Sequence, residues 1–155
     1  LKENNMDNYH SRLMQLYSIM FWMGVFVGIV TIIFGEYLIE FIFGEAFVAA
    51  YSALIFNIWS GIFMSLGVAR GIWILSENLQ KYRLYNNLMV VSLNIILNIL
   101  LIPKMGISGA ALASLITQSS GVLLFSFIWK PLRASTWAMI KSTNPIFLLR
   151  ALKAI

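Results

Sequence analysis

The chain has 155 residues, of which 60% are hydrophobic and 11% are charged. This charge fraction is about half that of a typical soluble domain, so the composition excludes an ordinary soluble protein and predicts an all-α membrane protein with several spans. The formal net charge is +5, but no basic cluster alternates with base-stacking aromatic residues, so we expect no nucleic-acid partner.

Several apolar segments reach the length of about 20 residues that a helix needs to cross a bilayer. After a polar leader at 1–16, we predict a transmembrane domain at 17–130 with spans at 17–34, 47–75, 84–102 and 107–129. Residues 35–40 are expected to form an interfacial turn. Pro103 is expected to end the third span, because proline lacks the amide hydrogen and disfavours helix at the residue before it.

The remaining residues, 131–155, form a basic, amphipathic tail that is too short after Pro145 to span a membrane. We expect an interfacial helix that lies against anionic lipid. The alternative is that the chain is cut inside a further helix. Because the chain starts at Leu1 with a polar segment and no secretory signal, we expect the C-terminal part of a longer protein, with a short stand-alone protein as the alternative.

Lysine and arginine in short loops are retained on the cytoplasmic side of a membrane. With these spans, one side receives most of the basic residues, namely Lys2, Arg12, Lys81, Arg83, Lys130, Arg133, Lys141, Arg150 and Lys153. The other side receives Lys104 with Glu36, Glu40 and Glu45. We therefore predict a multi-pass protein of the plasma (inner) membrane with both ends in the cytoplasm.

The segment at 94–118 predicts a tightly packed transmembrane hairpin. Its second half carries Gly109, Ala113, Thr117 and Gly121 at four-residue spacing. Small residues in such a stripe let two helix backbones approach closely in lipid, so we expect this stripe to face other helices.

The same segment has the pattern Asn94-x-x-x-Asn98-x-x-Leu101-Ile102-Pro103-x-x-Gly106-Ile107-x-Gly109-Ala110-Ala111-x-Ala113, and Phe43-Gly44-Glu45-Ala46-Phe47-x-x-Ala50 precedes it. In order and spacing these stretches resemble the C-terminal region of the polysaccharide-biosynthesis flippases. These are the Wzx-type O-antigen or repeat-unit translocases of the multidrug/oligosaccharidyl-lipid/polysaccharide exporter superfamily. The resemblance covers nearly all of residues 13–130.

The resemblance implies about four helices from one lobe of a MATE-like transporter. It also implies that the parent protein moves lipid-linked oligosaccharides across the membrane by alternating access. The partners would be membrane lipid, the rest of the transporter chain and an undecaprenyl-diphosphate-linked oligosaccharide. Two alternatives stay open: a multidrug exporter of the same superfamily and a membrane scaffold that transports nothing.

Polar residues inside the spans are the candidates for substrate binding: Arg70, Asn87, Asn94, Asn98 and Gln118. The three asparagines lie on one stripe of the third span, where they either hold helices together, which we favour, or face a wet cavity and bind sugar hydroxyls. Arg70 either binds phosphate or extends its charge to the cytoplasmic interface. Gln118 faces a neighbouring helix or the cavity.

The sequence does not favour an enzyme. It has no cysteine and a single histidine, His10, and it lacks phosphate-binding loops and metal-ligand spacings. We therefore expect no catalytic residue, cofactor or metal. Lys81 and Arg83 are weaker candidates for substrate contact, because topology alone predicts cations in short cytoplasmic loops. No carboxylate is placed in mid-membrane, so a proton-coupling site is not expected within this chain.

Overall fold

The computed structural model describes the backbone of residues 2–152 and the side chains of residues 9–149. Within this range the chain is helical apart from short connections. A short 3₁₀ helix, Glu45–Ala50, precedes the second α-helix. The α-helices are α1 (Lys2–Phe43), α2 (Tyr51–Ser76), α3 (Gln80–Met105), α4 (Ile107–Val122), α5 (Leu124–Ile128), α6 (Lys130–Ser142) and α7 (Pro145–Leu152).

Four helical segments are long and apolar enough to cross a membrane: Tyr9–Phe43, Glu45–Ser76, Gln80–Met105 and Ile107–Ile128. Their outward surfaces carry large apolar side chains, such as Phe41 at 78% exposure and Ile99 at 68%. Continuous apolar surface on this scale is not stable in water. Lipid tails cover it at no such cost, which is consistent with a helical protein whose four long apolar segments could span a membrane.

Helix α4 lies between α2 and α3 and packs against both, whereas α2 and α3 touch little. The small-residue stripe makes this arrangement possible. A Cβ atom at Gly109 would overlap the backbone carbonyl of Leu101, and one at Gly121 would overlap the side chain of Val90. The prediction that this stripe serves close helix packing is confirmed.

The hairpin between α3 and α4 turns at a single residue. Gly106 has φ +55°, a left-handed conformation that glycine adopts without a steric penalty. The prediction that Pro103 ends the third span is wrong, since α3 continues through the proline to Met105. Proline removes one helical hydrogen bond wherever it lies inside a helix, and only Lys104 and Met105 follow it before α3 ends.

The first span also differs from its predicted bounds. Helix α1 is continuous over 42 residues, and the interfacial turn predicted at 35–40 is helical. Residues 2–16 of the predicted leader belong to the same helix, where Leu13 is buried. At about 1.5 Å per residue, α1 is longer than the hydrocarbon core of a bilayer, so its ends extend beyond that core.

The second and fourth spans are each divided. The segment predicted at 47–75 starts as the 3₁₀ helix and becomes α2 at Tyr51. The segment predicted at 107–129 breaks at Leu123, between α4 and α5. Here the Ser126 hydroxyl donates to the carbonyl oxygen of Gly121 (2.8 Å), a local bond that replaces part of the interrupted helical pattern.

The tail forms two helices, α6 and α7, which pack against α1. Leu132 and Met139 of α6 belong to the same buried cluster as Leu13 and Tyr17 of α1. One face of α6 is therefore part of the protein core, and only its other face is available for the interface predicted from sequence. Residues 153–155 of the predicted tail lie outside the described range.

The loops carry opposite charges at the two ends of the bundle. The end where α2 meets α3 and α5 meets α6, called the basic end below, carries Lys81, Arg83, Lys130 and Arg133 together with one acidic residue, Glu77. The end where α1 meets α2 carries Glu36, Glu40 and Glu45, and Lys104 is at that end of α3. Lys2, Arg150 and Lys153 lie outside the residues whose side chains are described. This segregation is the pattern on which the predicted orientation depends.

Candidate functional site

A cleft opens between α2 and α3, with α4 as its floor, and Leu132 of α6 also lines it. Most of its lining residues are apolar, but five polar side chains reach it, and we call it the polar cleft below. Its volume is about 390 Å³, within the range of pockets that bind small organic groups. The side chains that give it its chemistry are Arg70 on α2, Arg83, Asn86 and Asn87 on α3, and Gln118 on α4. The cleft forms because α4 separates α2 from α3, so that both helices overhang the small residues of α4.

Arg70 lies at one wall of this cleft and is only 4% exposed. Its Nε donates to the Ser135 hydroxyl (3.3 Å) and its Nη1 to the Val122 carbonyl oxygen (3.2 Å). Nη1 also donates to the Ser126 hydroxyl, and Nη2 donates to the Thr136 hydroxyl. This group, called the Arg70 network below, connects α2 to the end of α4, to α5 and to α6.

The Arg70 network explains how a cation is accommodated inside the protein. Burying a charge is unfavourable unless hydrogen bonds replace its hydration. Here four acceptors replace the hydration of the guanidinium. They are the Val122 carbonyl oxygen, at the break between α4 and α5, and the hydroxyl groups of Ser126, Ser135 and Thr136. The interpretation in which Arg70 extends to the interface is therefore wrong. A phosphate-binding role stays a prediction, but most donors of this guanidinium already bind protein acceptors.

Arg83 is the second cation of the cleft, and it differs from Arg70 in its exposure and in its hydrogen bonds. Its side chain is exposed, and its guanidinium lies against the backbone of Gly71, where a Cβ atom would be 2.6 Å from Nη1. Within the described residues it donates no hydrogen bond to a side chain or carbonyl. Its planar set of donors is available to a ligand.

The amides of the cleft supply both donors and acceptors. Asn86 donates from Nδ2 to the Gly121 carbonyl oxygen (3.1 Å), while its buried Oδ1 has no partner. Asn87 is exposed and Gln118 is half-buried, and both line the cleft. A buried acceptor without a partner costs about 1–3 kcal/mol, so Asn86 is a strained member of the cleft wall, while Asn87 and Gln118 carry the accessible amides.

Asn94 and Asn98 lie deeper along α3 and are not part of the cleft lining. Asn94 donates to the Thr117 hydroxyl of α4 (3.2 Å), and Asn98 donates to Asn94 Oδ1 (2.8 Å). Both are half-buried. The asparagine stripe therefore has two parts. Asn94 holds α3 to α4, as the favoured interpretation predicts, and Asn98 supports Asn94 from within α3. Asn87 faces the cleft.

The cleft has a positive electrostatic character. Its described lining includes two arginines and no aspartate or glutamate, and the chain contains no acidic residue after Glu77. Among the described residues, no group of three or more His, Cys, Asp or Glu could hold a metal ion. Chemically, the arrangement can bind an anion through guanidinium donors and hydroxyl groups through amides.

Sequence reasoning placed Arg70, Asn87 and Gln118 among the candidates, and the structure brings these three to one cleft. It ranked Arg83 below them and missed Asn86. The signal that could have found both is helical spacing: Arg83, Asn87 and Val90 fall on one face of α3, with Asn86 beside them. No protein-family model, curated protein or solved structure matches this chain.

Proposed function

We propose that this chain is part of a membrane transporter that moves lipid-linked oligosaccharides across the bilayer. The observation that carries the proposal is the polar cleft, which combines guanidinium and amide groups and has no carboxylate among its described lining residues. A lipid-linked oligosaccharide presents the matching chemistry, with an anionic diphosphate beside neutral sugar hydroxyls.

In this proposal Arg83 binds the phosphate. Its guanidinium presents parallel N–H donors that fit two phosphate oxygens at once. Arg70 lies behind it as a fixed positive charge that attracts the anion without giving up its own protein contacts. The cleft is near the basic end of the bundle, and in this proposal the lipid tail stays in the bilayer.

The amides bind the sugar. Asn87 and Gln118 offer both N–H donors and a carbonyl acceptor to hydroxyl groups. Neutral amides suit this role because they bind hydroxyls without adding charge. The cleft volume of about 390 Å³ is that of a small-molecule pocket, and in this proposal the rest of the transporter supplies the opposite wall.

Transport by this mechanism requires two lobes that alternately close each side of a central cavity. In this proposal the four long helical segments of the chain form part of one lobe, as the sequence resemblance to the polysaccharide-biosynthesis flippases implies. A multidrug exporter for organic cations is less well supported, because two arginines in the cleft repel a cationic drug.

The proposal is tested by Arg83→Gln in the intact protein, produced in cells that need it for surface polysaccharide. Loss of a charged hydrogen bond of about 1.5–3 kcal/mol lowers export by about ten- to a hundredfold. Lys81→Gln is the matched control, because Lys81 is an exposed cation of the same loop that does not line the cleft. Equal export by both variants would remove Arg83 from the mechanism.

A further inference from the structure

The second polar feature of the molecule is the outer face of α6, on the side opposite the Arg70 network. Lys130, Arg133, Trp137 and Lys141 recur at three- and four-residue intervals along this face, and all are exposed. We call these residues the basic face of α6. They do not line the polar cleft, so the proposed function gives them no role.

The orientation of α6 is fixed by its inner face. Leu132 and Met139 pack into the core, and Ser135 and Thr136 bind Arg70. Because the buried positions occupy one side of the helix, the cations and the tryptophan must lie on the other. The packing of the inner face of α6 therefore fixes the basic face on the outer side of this helix.

Two contacts attach the basic face to the membrane-spanning part. Arg133 Nε donates to the carbonyl oxygen of Phe127 (2.7 Å), and the ring of Trp137 packs edge-on against that of Phe127 at 5.7 Å between centroids. Phe127 lies in the last turn of the fourth spanning segment. The basic face thus begins at the level where this segment leaves the membrane.

We propose that the basic face of α6 binds the headgroups of anionic lipids in the leaflet next to the basic end. Charge complementarity selects this occupant, since neither α6 nor α7 carries an acidic residue beside these cations. Tryptophan favours the interface between headgroups and acyl chains. The neighbouring apolar side chains of α7, Ile146 and Leu149, are exposed at 54% and 61% and extend the surface into the same layer.

The absence of cysteine from the chain allows a single fluorescent label to report on this surface. Ala134→Cys places a bimane label on an exposed position of the basic face. The labelled protein is titrated in mixed micelles with brominated phosphatidylglycerol or with brominated phosphatidylcholine, which quench the label on contact. We expect quenching at much lower concentrations of the anionic lipid.

The variant Lys130→Gln with Lys141→Gln removes two charges that make no described hydrogen bond. We expect about fivefold weaker binding of phosphatidylglycerol per lysine, hence about twenty-five-fold for both. Lys104→Gln, a cation at the opposite end, should leave the titration unchanged. In the unmodified chain, added salt should weaken the anionic selectivity in the same way.

Equal quenching by both lipids would overturn the proposal, because the face would then contact lipid without charge selection. Absence of quenching by either lipid would also overturn it and would point to a protein that covers this face. The titration uses no transported substrate, so failure of this inference leaves the proposed function intact, and failure of that function leaves this inference intact.

Discussion

Replacing Arg70 with lysine should destabilise the protein although the positive charge is kept. The guanidinium of Arg70 reaches acceptors on three helices from three nitrogen atoms. A lysine ammonium donates from one nitrogen, so we expect it to keep two of these acceptors and to lose the others. A hydrogen bond to a charged group contributes about 1.5–3 kcal/mol.

The lower end of that range applies here, because two of the hydroxyls have a second bond to the backbone. Ser126 donates to the Gly121 carbonyl and Thr136 to the Leu132 carbonyl, so neither becomes fully unpaired when Arg70 is changed. Two lost bonds then lower the free energy of unfolding by about 3 kcal/mol.

The free energy of unfolding can be measured in mixed micelles by titration with sodium dodecyl sulfate, with tryptophan fluorescence as the signal. Arg83→Lys is the matched control, because Arg83 is exposed and makes no described hydrogen bond, and we expect a change within about 0.5 kcal/mol. If Arg70→Lys proved as stable as Arg83→Lys, the Arg70 network would not hold the helices together and the argument from its geometry would be refuted.

Three further predictions concern packing and orientation. Gly109→Leu should lower the free energy of unfolding by about 1–3 kcal/mol, because the leucine side chain would overlap the α3 backbone. Gly61→Ala should raise it slightly, because the space around Gly61 is open. Equal effects of the two variants in the same unfolding titration would contradict the close packing of α3 and α4. A double-mutant cycle between Asn94→Ala and Thr117→Val should give a coupling of about 0.6–1.7 kcal/mol, and zero coupling would show that their hydrogen bond does not stabilise the hairpin. Lys81→Cys should react with a membrane-impermeant maleimide from the cytoplasmic side only; labelling from the outside would reverse the orientation.

Much of the fold follows from patterns that are local in sequence. Four apolar segments and a stripe of small residues were sufficient to predict spanning helices and a close hairpin, because membrane thickness and backbone contact impose them directly. Helix ends were less predictable. Pro103 lies where an end is expected on local grounds, but packing of α3 against α4 carries the helix onward to Gly106.

The candidate site was harder to predict because it depends on contacts between distant segments. The acceptors of Arg70 lie between 52 and 66 residues further along the chain, and nothing local indicates that α6 folds back to meet it. Arg83 looked like an ordinary loop cation for the same reason. Helical spacing places it beside Asn87, but only the packing of α4 between α2 and α3 brings it to the same cleft as Gln118 and Arg70.

The most direct test of the central claim is transfer of a fluorescent lipid-linked oligosaccharide across proteoliposomes that contain the intact protein. We expect transfer by the unmodified protein, transfer about ten- to a hundredfold slower with Arg83→Gln, and unchanged transfer with Lys81→Gln. Absence of transfer by the unmodified protein, or equal rates for the two variants, would contradict it.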